Sequence, residues 1–541
     1  MTELQAPELS NQSPPYVDVD LFMTDRPLQD AVAANGGSAP PGVLSAFGRH
    51  RGSAEMFELA RLANEHPPQL AGDIVEFHPA YHRFMTDSMT EGLHVMTWRA
   101  DGTRAPPPAE VARAARYYMI AQVENGHMCP ITMTRAAVSA LAAEPAVLAA
   151  VMPKIFSHAY DSRFRPWTEK IAMTLGMGMT ERQGGTDVRA NTTRAVAAGD
   201  HYRITGHKWF MSAPMCDAFL VLAQAQSDKH GGLTCFFMPR FRPDGSVNGL
   251  HFQRLKPKLG NRSNASSEVE FADAYALRVG AEGAGIKTII GMVQLTRLDC
   301  AIASAGIMRM ALVQALHHSR HRTVFQRRLV DQPLMQTVLA DIALDVEGAL
   351  AVVMRLARAF DRAAIDPAES AYARLVTPAI KYWVCKIAPA LVYEAMECLG
   401  GNGYVEDSIL PRLYREAPVN AIWEGSGNVM CLDVLRALAK EGEVAREVLA
   451  SLAQATRDLP GSAEAVALIG KTFGGASAES QARLAVEKLA TLAAAAALGS
   501  GAPTDIAAAF AQARLSGSRG STYGATVIAQ PARILDRALP A

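Results

Sequence analysis

The 541-residue sequence predicts a chain that changes architecture three times: helical, then β, then helical, with a further helical tail. Three observations carry this reading. Apolar residues recur at helical spacing up to about residue 175 and again from about 283. Between them, residues 176–282 hold several short β-rich runs separated by turn residues. After 440 the chain becomes Ala-rich. Helices repeat every 3.6 residues and strands every 2, so the switch in period marks a switch in structure.

Residues 1–175 open Pro-rich and continue with segments such as 109–124, whose apolar residues follow helical spacing. In residues 176–282 the β-rich runs are 201–205, 218–223, 233–238, 250–255 and 267–271. Gly199-Asp200, Gly231-Gly232 and Pro243-Asp244-Gly245 separate them. Short strands at this spacing predict an antiparallel barrel or sandwich. In residues 283–440, Met335, Leu339, Ile342, Val346, Leu350, Val353, Leu356 and Phe360 form one apolar stripe. Ala305, Met308, Leu312 and Leu316 form a second. Two such stripes suit a helical bundle. Residues 441–541 read as another helical unit, with 489–498 a buried helix.

Lysine plus arginine equals aspartate plus glutamate, so net charge predicts no strong pull towards nucleic acid or anionic lipid. The opening 15 residues are polar and acidic, without the basic and apolar regions of a secretory signal. No uninterrupted apolar run approaches the ~20 residues that span a bilayer. The seven cysteines are scattered, without a Cys-x-x-Cys pair, which argues against a zinc site and fits a reducing cytoplasm. His317 and His321 have metal-capable spacing, but no glutamate accompanies them and Arg320 and Arg322 repel a cation. We expect no metal.

Four segments carry candidate chemistry. Glu424 stands between Trp423 and a Gly425-Ser426-Gly427-Asn428 turn. A carboxylate that removes a weakly acidic C–H proton needs apolar walls that strip water and raise its pKa. Residues 177–188 concentrate glycines and hydroxyls able to grip a heterocycle. Residues 206–212 set an aromatic pair before a serine, and 399–404 form a Gly-rich loop through which backbone can approach a pyrophosphate.

In this order, with Lys258-Leu259-Gly260 and Arg322-x-x-Phe325, the motifs resemble the acyl-CoA dehydrogenase flavoprotein superfamily over residues 177–428. Residues 129–134, 260–266 and 422–436 narrow the resemblance to its DNA alkylation-response branch. The resemblance implies an N-terminal α-helical domain, a central antiparallel β-barrel, a C-terminal four-helix bundle and an extra C-terminal helical domain. It also implies non-covalent FAD and a cytoplasmic homotetramer.

Carried over by position, Met177, Met179, Thr180, Gly185 and Thr186 would line the flavin. Phe210, Met211 and Ser212 would pack on it and hydrogen-bond to it. Trp423, Gly425, Ser426 and Asn428 would contact the cofactor near its adenosine diphosphate, and Arg322, Phe325, Gly400 and Gly401 would reach that of a neighbouring subunit. Glu424 falls at the catalytic-base position. Thr186 and Arg436 would border the substrate pocket, where Arg436 would lower the pKa of Glu424 and crowd an acyl chain. Gln326 replaces the glycine usual after Arg-x-x-Phe, and Glu397 stands where many relatives carry glutamine.

Two functions follow. One is an alkylation-response flavoprotein that binds double-stranded DNA non-specifically, with weak or unknown dehydrogenase activity. The other is an ordinary dehydrogenase of short or branched acyl thioesters with no DNA role. The tail holds nine Lys/Arg and nine Asp/Glu. A DNA face there would rest on Arg514, Arg519, Arg533 and Arg537.

Overall fold

A computed structural model describes residues 10–37, 41–226, 232–475, 478–517 and 519–540. Residues 1–9 of the polar opening and Gly231 of one predicted turn lie outside the described residues. The N-terminal unit comprises α1 (Arg26–Ala34), α2 (Pro41–Arg51), α3 (Ala54–Glu65), a hairpin of β1 (Gln69–Ala71) and β2 (Ile74–Glu76), then α4 (Pro79–Thr90), α5 (Ala109–Ala121), α6 (Met128–Leu141) and α7 (Pro145–Ile155). Side chains set several of the starts: Asp25 and Ser53 cap α1 and α3 by accepting from Leu28 N and Met56 N.

The β unit holds β3 (Leu175–Gly178), β4 (Arg194–Ala198), β5 (His201–Ser212), β6 (Ala218–Gln226), β7 (Gly232–Pro239), β8 (Leu250–Leu255) and β9 (Ser266–Val279). Strands β4, β5, β9, β7 and β6 pair in a closed ring, which makes the unit a barrel. Most pairings are antiparallel, but β6 runs parallel to both β3 and β4. Closure removes the open edges that a flat sheet would leave. Phe219, Phe236, Phe237 and Leu220 fill its core.

Three long helices follow: α8 (Gly285–His321), α9 (Pro333–Arg362) and α10 (Pro367–Cys398). Between α8 and α9 lies a tight hairpin of β10 (Thr323–Val324) and β11 (Arg327–Arg328). Short α11 (Gly401–Tyr404) and α12 (Leu410–Glu416) lead to α13 (Gly427–Lys440), and α8, α9, α10 and α13 pack together. The tail adds α14 (Gly442–Thr456), α15 (Ser462–Phe473), α16 (Ala478–Gly501), α17 (Thr504–Arg514) and α18 (Pro531–Ala538). Helix α16 packs on α9, α10 and α13, so the tail shares the bundle's core.

The apolar runs are interrupted, as the sequence shows, yet three helices are apolar on average. By length and composition α8, α10 and α16 are apolar enough to cross a membrane, and 89%, 78% and 56% of their most apolar windows are buried inside the protein. Core packing covers that surface, as expected of a helix that is apolar nearly all round.

Candidate active site

Glu424 lies in the turn between a 3-10 segment, Ala417–Ala421, and α13. Its φ is +58° and that of Gly425 is +106°. A left-handed glutamate is strained, and such strain persists only where the surroundings hold it. Three successive carbonyls supply the hold. Lys381 Nζ donates to Trp423 O at 2.8 Å and Gly425 O at 2.5 Å. Arg297 Nε donates to Glu424 O at 3.1 Å.

The carboxylate itself takes a neutral partner: Thr296 Oγ1 donates to Oε2 at 2.7 Å. Among the described residues no cationic nitrogen lies within ion-pair distance of it. The charge of Arg297 goes instead to Asp433, at 2.6 Å, which Arg374 also meets at 3.2 Å. Burial therefore pushes the Glu424 carboxyl up, with Thr296, Arg297 and Lys381 tempering the rise. Arg436 is exposed on α13 and is not among the charges acting on Glu424, so the expected guanidinium in the pocket is corrected to Arg297 behind it.

The barrel edge faces this turn through Cys129 at the start of α6. Its thiol touches Ser212 and Asn264 and feels Lys258 and Glu424, while burial pushes it up to about 11. Ser212 and Met211 pair with Met177 and Gly178 across β5 and β3. Thr180 O accepts from Trp209 N at 2.9 Å, and a Cβ on Gly185 would meet the Thr180 side chain at 2.8 Å. A buried Lys208–Glu181 pair at 2.8 Å fixes the loop from inside. Six of the predicted flavin residues, Met177, Thr180, Gly185, Phe210, Met211 and Ser212, thus share one sheet edge. Met179 supplies its carbonyl to Asn191, and Thr186 is exposed on the same loop.

The remaining predicted residues fall elsewhere. Ser426 occupies the N-cap position of α13 without a side-chain cap hydrogen bond, and Asn428 accepts from Arg483 Nε of α16 at 2.8 Å. Trp423 Nε1 donates to Asn420 at 2.9 Å. Arg322, Phe325, Gly400 and Gly401 gather at the far end of α8, where Arg322 and Thr323 bond to Asn11 and Asn402 to Gln12. Phe325 and Gln326 form the two-residue turn of the hairpin, both at positive φ, +51° and +63°. Such a turn favours glycine or asparagine, so the departure at 326 puts a glutamine where glycine is relaxed.

The four tail arginines do not form the expected DNA face. Arg514 is buried between Asp341 and Asp345 of α9, at 2.6 Å from each. Arg519 meets Asp345 at 3.3 Å, and Arg537 meets Glu347 and Asp30, each at 2.8 Å. Arg533 pairs with Asp505 at the surface. Carboxylates neutralise three of these cations against the bundle, which removes them from any phosphate. The histidines near the end of α8 are likewise engaged: His317 with Pro14 O, the adjacent His318 with Ser13 and His321 with His317 O.

The sequence reading missed Thr296, Arg297, Lys381 and Arg483. They lie in unbroken helical pattern, and only tertiary contact brings them to the turn. A cavity of about 800 Å³ lies apart from Glu424, between α3, residues 260–262 and α12. Arg61, Arg412 and Arg415 share its wall with Glu58, Glu406 and Glu416.

The chain's own atoms fit FAD. Phe210 is 49% exposed beside Met211 and Ser212, leaving a ring face open at the barrel edge. At Gly400 and Gly401 an added Cβ would meet nothing within 4 Å, so backbone there is open to phosphate. A closed β-barrel against a helical bundle, with a part-buried carboxylate at the junction, is the arrangement that the resemblance to the acyl-CoA dehydrogenase superfamily implies.

Comparison with known proteins specifies the family. Residues 11–162 match the adaptive response protein AidB N-terminal domain, 176–274 the acyl-CoA dehydrogenase middle domain and 283–439 its C-terminal domain. The chain is 50% identical over 444 residues to the putative acyl-CoA dehydrogenase AidB of Escherichia coli, covering 80% of this chain and 81% of that one. It is 35% identical over 337 residues to acyl-CoA dehydrogenase family member 11 of Caenorhabditis elegans, covering 60% and 54%. The crystal structure of C. elegans ACDH-11 in complex with C11-CoA superposes with a TM-score of 0.83 at 27% identity, covering 94% and 93%. The chain belongs to the acyl-CoA dehydrogenase family, in its AidB group.

Proposed function

We propose that the protein desaturates an acyl thioester between Cα and Cβ, with Glu424 as the base. One observation carries this: a part-buried carboxylate held at strained backbone and left with a hydroxyl rather than a cation as its partner. Such a group holds a proton more tightly than a free glutamate and is the stronger base for it. Glu424 would take the α-proton and carry it on Oε1. Thr296 keeps one oxygen hydrogen-bonded, so the other is free to face substrate. Bound FAD supplies the acceptor for the hydride that leaves Cβ, and residues of β3, β5 and the turn before α13 would hold it. The test is anaerobic flavin bleaching by a panel from butyryl-CoA to C11-CoA. Bleaching lost in Glu424→Gln, with FAD retained, supports the reading; bleaching by none of the panel refutes it.

A second reading concerns the cell. The match to an adaptive-response N-terminal domain supports a role in the response to DNA alkylation damage. Duplex DNA is then the partner, bound non-specifically, and its contacts must come largely from cations other than Arg514, Arg519 and Arg537. Titration with duplex DNA at low and moderate salt tests this: retention that weakens with salt supports it, and no retention at low salt overturns it.

The assembly we read is a homotetramer in the cytoplasm. Seven free cysteines suit a reducing compartment. From Thr296 to Arg322 the rise along α8 is about 39 Å at ~1.5 Å per residue, too far for one cofactor to reach both. Arg322 therefore serves a neighbour's FAD, and Phe325, Leu334 and Tyr404, each at least 80% exposed, would bury their surface there.

A further inference from the structure

We propose that Lys381 of α10 is the positioning residue of the Glu424 base: it holds the turn in its left-handed setting and supplies the unmatched positive charge against which Glu424 ionises. The inference rests on the reading of Glu424 as base. Lys381 is 1% exposed, in the interior of a helix whose other buried side chains are mostly apolar. A buried ammonium is costly unless its donors are used. Here both strong acceptors are the carbonyls that flank Glu424, at 2.8 and 2.5 Å. Among the described residues no other side chain hydrogen-bonds to both of those carbonyls.

The charges around the turn divide cleanly. Arg297 also holds a carbonyl there, but Asp433 matches its charge. Lys381 forms no ion pair among the described residues. Glu424 is faced by Thr296, Arg297 and Cys300 from α8, Lys381 from α10 and Cys129 from α6. The two thiols are pushed up by burial and stay neutral, so they offer the carboxylate no charge. Of the two cations that act on Glu424, Lys381 is the one without an ion pair among the described residues, so its removal takes away that charge and frees two carbonyls at once. The backbone then relaxes towards negative φ and swings the carboxylate off its line, while the remaining desolvation makes it harder to ionise.

The test uses dithionite-reduced holoenzyme in D2O, so that no hydride transfer competes. Deuterium entering the α-carbon of an acyl-CoA is followed by mass spectrometry against pH. The probe is whichever acyl-CoA, from butyryl-CoA to C11-CoA, exchanges fastest with the wild type. In Lys381→Met we expect exchange at neutral pH to fall by about tenfold or more and its inflection to move to higher pH. Lys381→Gln keeps two amide donors without the charge. It should show the same shifted inflection with a smaller loss, and it carries the test if the methionine variant loses FAD.

Profiles of both variants that superimpose on the wild type would overturn the proposal. So would a rate loss with an unmoved inflection, the signature of a merely structural role. Glu424→Gln run alongside separates the two readings. If it exchanges like the wild type, or if the wild type exchanges no probe, the base assignment fails and this inference with it. If Glu424→Gln is dead and both Lys381 variants are normal, Lys381 alone is refuted.

Discussion

Glu424 and the Asp341–Asp345 pair are carboxylates set into the same helical bundle, and they are treated in opposite ways. The aspartates lie one turn apart on α9 and receive Arg514, Arg519, Tyr523 Oη and the Gly524 N–H. Every oxygen is satisfied, and the result is a staple that fixes the tail to the bundle. Glu424 has one hydroxyl and no ion pair, although Arg297 and Lys381 both reach its turn. Those cations go to backbone carbonyls. The difference separates structural acids from chemical ones: the first are neutralised, the second are aimed and left basic.

The largest effect should come from removing the chemical acid. Glu424→Gln keeps volume and a hydrogen-bonding group, so FAD content and fold should persist. Loss of a positioned base is worth about 10²–10⁴ in rate. Anaerobic stopped-flow flavin reduction by the best acyl-CoA reads this directly. A loss of less than tenfold would place the base elsewhere and dissolve the contrast with α9.

The structural acids answer to stability instead. Arg514→Ala leaves buried Asp341 without a cation and Asp345 with only the partly exposed Arg519, and breaking one side of a buried pair costs about 3–5 kcal/mol. Thermal or urea unfolding should register that loss while flavin reduction per folded molecule stays near wild type. If Arg514→Ala instead left stability intact and lowered activity, the tail would belong to the site.

The pH dependence of stability should have opposite signs at the two kinds of acid. Burial raises Glu424 in the folded state. Its contribution is present below the ordinary glutamate value of about 4.3 and is lost as pH rises through the raised folded value. Glu424→Gln, always neutral, should therefore be more stable than wild type at neutral pH, and the gap should close towards acid. Asp433 is lowered, because Arg297 and Arg374 outweigh its burial. Its contribution is present above about 3.9 and is lost as pH falls through the lowered folded value. Asp433→Asn should thus destabilise at neutral pH and cease to matter in acid. Unfolding of both variants across pH measures the signs, and like signs would erase the distinction.

What was legible in the sequence follows the same division. Periodicity located the long stripe of α9 and the strand runs, because burial on one face leaves a pattern in one dimension. The turn around Glu424 was legible as well, since its glycines and aromatic sit together in the chain. Thr296, Arg297 and Lys381 were not, because they come from α8 and α10 and have no local signature. Strand β3 is not among the β-rich runs that the sequence shows; its partners, β5 and β6, lie tens of residues away. The tail arginines misled for a related reason. Net charge counts cations but does not say which carboxylates they meet, and Asp341 and Asp345 precede Arg514 by more than 160 residues.

The smallest effect concerns Arg533, the tail arginine whose side chain is most exposed among the four, at 58%. It pairs with Asp505 on the surface, where such pairs contribute little and salt screens them. Arg533→Ala should leave the unfolding transition where it is. Its use is to sharpen the contrast between stapling arginines and free ones. If duplex DNA is retained and Arg533 meets a phosphate, the slope of log affinity against log salt should flatten by about one unit. Arg514→Lys, whose cation stays buried against α9, should leave that slope unchanged. Equal slopes for wild type and Arg533→Ala would remove the last of the four arginines from the DNA reading. They would move any such contact to the exposed cations of the barrel or of α13 and α14.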